Sequence, residues 1–224
     1  MTDTKRKLIT IFSICFTLII CCSGCGNQAS DQVQSDTCFI YTDGLLDDLC
    51  ALEYLSKSYD NAVILLQDPE GLADSVYASD TVTDESSLTD AASQWFENVT
   101  VYSDSADISE ADIYLLAPLT EFAELLKKDP SLESGHALLM AGDSDGPDGA
   151  GEDWNAVKDI DAYRYVTENM TGLVQMTRPD CENAYEENGY PFEAEYLDEY
   201  VSQMESINDS VCCYDLQAVA LYLN

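Results

Sequence analysis

Basic side chains are scarce in this sequence. Its 224 residues include 9 lysines and arginines and one histidine, against 43 aspartates and glutamates, so the formal net charge is −34. Phosphates repel such a surface, and the basic footprint that nucleic-acid binding requires is missing. The same charge opposes adhesion to anionic lipid headgroups. We therefore expect no nucleic-acid partner and no membrane binding through charge.

Motifs for common cofactors and for structural zinc are also missing. No Gly-x-Gly-x-x-Gly or Walker loop is present, which leaves a nucleotide cofactor without support. Four of the nine cysteines lie in the first 25 residues, and the other five contain no C-x-x-C pair, so we expect no zinc site. An odd number without regular spacing is a poor disulfide framework, and the pairing stays open. The five are Cys38, Cys50, Cys181, Cys212 and Cys213.

The first 24 residues have the order of an export signal. A basic start at residues 5–7 precedes an apolar run at 8–20, and small residues then precede Cys25. The run is shorter than the ~20 residues of a spanning helix, although a single-pass anchor remains the alternative. Small residues before a cysteine resemble a bacterial lipobox. We expect lipid on Cys25, with Cys21 and Cys22 as other candidates, and a protein anchored at the outer face of the bacterial cytoplasmic membrane.

The rest of the chain divides into a polar tether at 25–37 and one domain at 38–224. In the domain, short apolar runs alternate with segments of helical periodicity, which predicts an α/β fold with a mainly parallel sheet flanked by helices. The predicted strands are 38–42, 62–67, 99–102, 113–117, 137–141 and 172–177. The predicted helices are 47–58, 86–96, 118–128, 156–168, 193–206 and 216–223.

Carboxylates follow several of the predicted strands, where ligands bind in such folds. Asp43, Asp68 and Asp143 each come directly after a strand. Asp47 and Asp48 follow Asp43 within the same strand-to-helix turn, where like charges repel unless a cation or a helix N-terminus offsets them. Helix capping, in which Asp47 or Asp48 accepts from amides of the first turn, is the alternative, but it does not explain Asp43 together with Asp48.

Five segments, in order, resemble motifs of the inosine–uridine-preferring nucleoside hydrolase family. Residues 42–48 resemble the family's Asp-x-Asp-Pro-Gly-x-Asp-Asp, although Tyr41 stands where the first acid is usual. The other four segments are 117–123 (Ala-Pro-Leu-Thr-Glu-Phe-Ala), 138–142 (Leu-Leu-Met-Ala-Gly), 153–155 (Asp-Trp-Asn) and 214–218 (Tyr-Asp-Leu-Gln-Ala). The resemblance spans about 38–222. It implies a Rossmann-like α/β domain that hydrolyses the N-glycosidic bond of a ribonucleoside.

The resemblance also implies a calcium ion and a role for each matched residue. Asp43, Asp48, Asp215 and the backbone carbonyl of Thr120 would hold the ion, since calcium takes six to eight hard oxygens. Asp43 would also accept the proton of the attacking water. Asp47, Asp153 and Asn155 would bind the ribose hydroxyls. Tyr214 takes the place of a histidine that assists the departing base.

Two points stay open at this stage. Trp154 either stacks on the base of a nucleoside or packs in the core. A non-catalytic protein of the same fold that binds a ribosyl ligand or calcium is the alternative function, and the tyrosines at 41 and 214 favour it. A surface interaction protein is a further alternative, but it leaves the ordered motifs unexplained. The one histidine, His136, is expected at the surface.

Overall fold

The computed structural model describes residues 35–67, 84–143 and 149–224. The predicted signal, the lipidation site Cys25, most of the tether, and Asp68 lie outside these residues. The strands are β1 (Thr37–Thr42), β2 (Asn61–Leu66), β3 (Asn98–Val101), β4 (Asp112–Leu115), β5 (Ala137–Met140) and β6 (Leu173–Met176). The helices are α1 (Leu46–Leu55), α2 (Glu85–Ala92), α3 (Thr120–Lys128), α4 (Trp154–Val157), α5 (Ile160–Asn169), α6 (Arg178–Asn188), α7 (Leu197–Ile207) and α8 (Tyr214–Leu223).

The six strands form one parallel sheet in the order β3-β2-β1-β4-β5-β6. This is a Rossmann-like arrangement, and it confirms the predicted α/β class. After β1 the chain moves to one side of the sheet, and after β4 it moves to the other. The connections that follow these two neighbouring strands therefore diverge and leave a crevice at the carboxyl edge of the sheet.

Strand β1 is buried on both faces, which explains why its sequence is apolar without alternation. Cys38 and Ile40 pack in the core beneath α1 and α8, whereas Phe39 and Tyr41 pack in the core beneath α3 and α5. Helices on both faces thus fix the central strand. Its carboxyl end, where Asp43 lies, is held in place by the two cores.

The prediction from the sequence missed one helix and merged two others into one. Helix α6 was not predicted, because Cys181 is its one fully buried residue and it carries no apolar stripe. The predicted helix 156–168 is two helices, since Asp159 caps α5 and its Oδ1 accepts a hydrogen bond from Ala162 N at 3.0 Å. The break places α4 separately, directly after the 141–153 connection.

Two further sequence predictions concern cysteines and membrane spans. The five cysteines of the domain are buried and unpaired by disulfides, and Cys38 and Cys50 serve as small core residues as expected. His136 is exposed, also as expected. Among the described residues, no helix has both the length and the apolar character needed to cross a bilayer.

Candidate functional site

The turn between β1 and α1 brings three carboxylates together. Gly44 has a φ of 74°, a conformation that side chains disfavour, and its N–H donates to Thr42 Oγ1 at 3.1 Å. This turn ends β1 at Thr42 and starts α1 at Leu46, so that Asp43 precedes the turn and Asp47 and Asp48 follow it in the first turn of the helix. The glycine therefore sets the relative position of the acids.

Asp48 is the best-anchored member of the group. It is fully buried, its Oδ1 accepts a hydrogen bond from Thr42 Oγ1 at 2.5 Å, and its Oδ2 accepts one from Leu45 N at 3.1 Å. Both donors belong to the β1–α1 turn, so the carboxylate cannot swing away without breaking the turn. A carboxylate held in one orientation is what a rigid ligand site requires.

Asp215 reaches the same place from the other end of the domain. It lies in the first turn of α8 and is 3% exposed. Carboxylate oxygens of Asp47, Asp48 and Asp215 lie within 4.8 Å of one another, a separation compatible with a shared metal ion. The first turns of α1 and α8 carry these acids, and the positive ends of the two helix dipoles offset part of their repulsion.

Asp43 adds an acceptor atom that the protein does not satisfy. The residue is 2% exposed, and its Oδ1 has no hydrogen-bond partner among the described residues. A buried acceptor without a partner costs roughly 1–3 kcal/mol. Such an atom beside three further carboxylates suits a bound cation or water better than it suits a purely structural role.

The pKa values of the four acids are all raised. Burial, opposed by hydrogen bonds, raises the pKa of Asp43 to about 6, and burial together with the charge of Asp43 raises that of Asp47 to about 7. Burial and the neighbouring charges raise the pKa values of Asp48 and Asp215 well above the ordinary value. Without a cation, this cluster holds protons at a pH where exposed aspartates are ionised.

The acids open into a cavity of about 320 Å³ at the carboxyl edge of the sheet. Leu116, which follows β4, and Met140, which ends β5, line its floor beside Asp43. The cavity therefore occupies the crevice between β1 and β4 that the strand order creates. Of the predicted site residues it brings together Asp43, Asp47, Asp48, Asp153, Trp154, Asn155, Tyr214 and Asp215.

Asn155 is fixed at the ends of two strands. Its Nδ2 donates to the carbonyl of Leu116 at 3.2 Å and to that of Met140 at 3.0 Å. With its amide hydrogens engaged, the side-chain carbonyl oxygen is the group that it can offer to a ligand.

Asp153 is held at the start of α4. Its Oδ1 caps the helix by accepting from Ala156 N at 3.0 Å. Burial raises its pKa, while backbone amides and the charge of Arg178 act in the opposite direction. Asp153 thus presents a buried, oriented acceptor to the cavity.

Tyr214 belongs to a small polar group with two residues of α6. Its hydroxyl donates to Glu182 Oε1 at 2.7 Å, and the Arg178 guanidinium lies 3.5 Å from the same hydroxyl. Arg178 also approaches Glu182 at 3.8 Å and lies 5.4 Å from the centroid of the Tyr214 ring. Burial and the bond to Glu182 raise the pKa of Tyr214 to about 12.

Sequence reasoning missed several residues of the cavity wall. Arg178 begins α6, and its signal was the capping box of Thr177 with Asp180, rather than any apolar periodicity. Tyr200, Gln203 and Met204 lie on one face of α7, at the spacing that places side chains together on a helix. Trp154 is 37% exposed at the cavity, so it is not a core residue.

Two residues matched to the family's motifs lie elsewhere. Thr120 does not line the cavity as described: it is exposed in the first turn of α3, and its Oγ1 donates to Asp159 Oδ2 at 2.9 Å. Tyr41, buried beneath α3, donates to the Pro118 carbonyl at 2.7 Å and to Glu121. Neither side chain lines the cavity, and the Thr120 carbonyl stays a predicted ligand.

The donor set fits a hard divalent cation. It consists of carboxylate oxygens, with no cysteine or histidine among the described residues that line the cavity. Calcium and magnesium take oxygen ligands, and calcium tolerates the more irregular geometry. The unpartnered oxygen of Asp43 is the observation on which this fit rests. The structure also places Asp47, predicted to bind ribose, among the candidate ligands.

Comparison with known proteins assigns no family. The chain matches no protein-family model, no curated protein and no solved structure. The resemblance to nucleoside hydrolases therefore stays a prediction from the motifs, and the function is argued from the site itself.

Proposed function

We propose that the protein hydrolyses the N-glycosidic bond of a ribonucleoside with a divalent cation, expected to be calcium, and releases free base and ribose. The observation that carries this proposal is the unpartnered, buried oxygen of Asp43 beside the carboxylates of Asp47, Asp48 and Asp215 in one cavity. A cavity that combines such a cluster with fixed polar groups is suited to a small polyhydroxylated ligand.

Asp43, Asp48 and Asp215, joined by Asp47, would hold the cation. It would offset the repulsion of these carboxylates and make a nearby water molecule more acidic. The acids would then be ionised at neutral pH, because the positive charge favours their charged forms.

Asp43 is the proposed general base. The oxygen of water bonds to the anomeric carbon of the ribose, and its proton passes to Asp43. The bond between that carbon and the base breaks, its electron pair leaves with the base, and a neutral base takes up a proton from water. Positive charge develops on the sugar ring in such reactions, and the carboxylates of the cavity stabilise it. Asp43 lies at the end of a strand buried on both faces, which suits a base that must not move.

The ribose hydroxyls find partners on two sides of the cavity. Asn155 offers its side-chain oxygen, since its amide hydrogens are used by the strand ends. Asp153 and Asp47 offer further acceptors for hydroxyl donors. Trp154, exposed at the cavity, is suited to stack on the base.

A non-catalytic protein that binds a ribosyl ligand or calcium is the second candidate function. Tyr214 favours it, because its hydroxyl donates to Glu182 and its raised pKa of about 12 makes it a weak acid at neutral pH. Binding would then use the same cavity, without release of the base.

The first prediction concerns Asp43. Asp43→Asn keeps the size of the side chain but removes its basic oxygen, and we expect kcat/KM to fall by about 100-fold or more. The measurement is release of free base and ribose from a panel of nucleosides with calcium. Asp90→Asn, the same change at an exposed position of α2, is the control.

The outcomes of that assay separate the candidates. Activity lost with Asp43→Asn or with a chelator, and kept with Asp90→Asn, supports the hydrolase. Nucleoside binding without release supports the non-catalytic protein. If calcium produces neither heat nor a thermal shift and no nucleoside binds, both candidates fail.

We also propose that the domain is tethered to the outer face of the membrane by lipid on Cys25, which is the second prediction. The support is the order of charge, apolar run and small residues before that cysteine. Metabolic labelling with a palmitate analogue should mark the wild-type chain but not Cys25→Ala. A label that survives the substitution would contradict the assignment.

A further inference from the structure

The cavity is negative even after a divalent cation is counted. Seven carboxylates and one guanidinium are among the described residues that line it. The guanidinium belongs to Arg178. It lies 3.8 Å from the carboxylate of Glu182 and 3.5 Å from the hydroxyl of Tyr214, so these two groups already offset part of its charge. A cavity of one sign attracts ligands of the opposite sign and repels phosphorylated ones.

The cavity is also poor in acids that could protonate a departing base. A neutral base takes the electron pair of the broken bond and is a poor leaving group unless a proton is supplied. The chain has one histidine, His136, which precedes β5 and so lies at the amino edge of the sheet, opposite the cavity. The described residues that line the cavity include no histidine and no lysine.

The remaining candidate proton donors are Tyr200, Tyr214 and Asp153, and each is engaged. The Tyr200 hydroxyl donates to the carbonyl of Cys212 at 2.5 Å. The Tyr214 hydroxyl donates to Glu182 at 2.7 Å. One oxygen of the Asp153 carboxylate is occupied, because it accepts from Ala156 N at 3.0 Å. A substrate whose base departs without protonation would need none of these residues as an acid.

Resting on the function proposed above, we infer that the preferred substrate is a riboside whose base is a positively charged ring, such as a pyridinium or an N7-alkylated purine. The bond between the anomeric carbon and the ring nitrogen breaks, and its electron pair neutralises the ring. Water supplies the oxygen that bonds to the anomeric carbon, and its proton goes to Asp43. The positive charge thus moves from the base to the sugar inside a negative cavity, which stabilises both the bound substrate and the transition state.

The test compares ribosides of different charge with the full chain and calcium. We expect kcat/KM for nicotinamide riboside to exceed that for inosine and uridine by about 100-fold or more. Hydrolysis of the neutral nucleosides would need a proton donor that the cavity lacks, and such a donor typically contributes a rate factor of about this size. If the neutral nucleosides are hydrolysed within about threefold of nicotinamide riboside, the inference is wrong while the hydrolase proposal stands. If no riboside is hydrolysed, the hydrolase proposal fails and the inference with it.

A binding measurement separates recognition from turnover. The cation 1-methylnicotinamide should inhibit at a concentration about tenfold lower than neutral nicotinamide, because the two rings differ mainly in charge. Equal inhibition would overturn the inference.

Removing one charge at the mouth of the cavity gives a matched pair of variants. Glu152 is exposed and lines the cavity, whereas Glu110 is exposed and precedes β4, at the opposite edge of the sheet. Glu152→Gln should raise KM for nicotinamide riboside by about threefold, with a smaller effect on kcat, and Glu110→Gln should not. An equal effect of the two substitutions would contradict recognition by the charge of the cavity.

Discussion

At the scale of single residues, three polar side chains of the cavity are positioned by bonds to the backbone. Asp48 is held by the β1–α1 turn, Asp153 by the first turn of α4, and Asn155 by two strand ends. The backbone of a packed sheet moves little, so these bonds make the polar groups as rigid as the fold. Asp43 differs from these residues, because its Oδ1 has no hydrogen-bond partner among the described residues.

The third prediction concerns the bonds of Asn155. Asn155→Leu leaves the buried carbonyls of Leu116 and Met140 without this donor, and we expect the free energy of unfolding to fall by about 2–4 kcal/mol. Urea denaturation followed by circular dichroism measures it. Asn188→Leu, at an exposed position of α6, should change stability by no more than about 0.5 kcal/mol. Equal losses in the two variants would show that the carbonyl bonds contribute little.

At the scale of elements, prediction from the sequence succeeded best where the site residues lie in the same short segment as clear strand and helix signals. The β1–α1 turn was predictable because an apolar strand, a glycine and two acids in a first helical turn all indicate the same strand-to-helix connection. Asp215 could be placed in the cavity only through its resemblance to a family motif, since nothing local relates residue 215 to residue 43. The tertiary fold brings residues 43 and 215 together, and the hydrophobic periodicity of one sequence does not encode that contact.

Helix α6 shows why part of the site escaped prediction. Its sequence is polar, and it buries Cys181 alone, so the pattern of an amphipathic helix is weak. Thr177 and Asp180 form the capping box that starts it, a short signal that is easily missed without the apolar stripe. Thr120 lies in the first turn of α3 with its side chain exposed, and only the motif assigns a role to its backbone carbonyl.

The fourth prediction concerns Gly44. Its φ of 74° disfavours any side chain, and Gly44→Ala should cost about 1–2 kcal/mol of stability. Because the turn also sets Asp43 against Asp48, we expect calcium affinity to fall by about tenfold or more in titration calorimetry.

Gly189→Ala is the matched control for this change. Gly189 has a φ of 72° and open space where a side chain would begin, but it lies at the end of α6. It should lose similar stability and keep its calcium affinity. If both variants lose affinity equally, the geometry of the β1–α1 turn is not what orders the ligands.

At the scale of the whole molecule, acidity is the dominant property. The domain contains far more acids than bases, and four of its acids are gathered in one place. Repulsion among buried carboxylates is unfavourable for folding unless protons or a cation offset it. Stability should therefore depend on pH in opposite ways with and without calcium.

The fifth prediction gives the sign of that dependence. The raised pKa of Asp43, about 6, means that the folded state holds a proton more tightly than the unfolded state, whose pKa is near 4. In the absence of cations this stabilisation is complete below about pH 4 and is lost as the pH rises through 6. The loss from Asp43 alone is about 2–3 kcal/mol.

Thermal or urea denaturation at pH 4, 5.5 and 7 measures the effect with chelator and with millimolar calcium. Calcium should stabilise most at pH 7 and little near pH 4, because protons compete for the same oxygens. Asp43→Asn should flatten the dependence more than Asp90→Asn, which removes the same charge from the surface. Identical profiles for these two variants would assign the dependence to general surface repulsion instead.

The packing of α1 against α8 joins the two ends of the domain. Asp48 and Asp215, one on each helix, are roughly 170 residues apart along the chain, a separation at which closing a loop costs appreciable entropy. An ion shared between them would act as a reversible cross-link across nearly the whole domain.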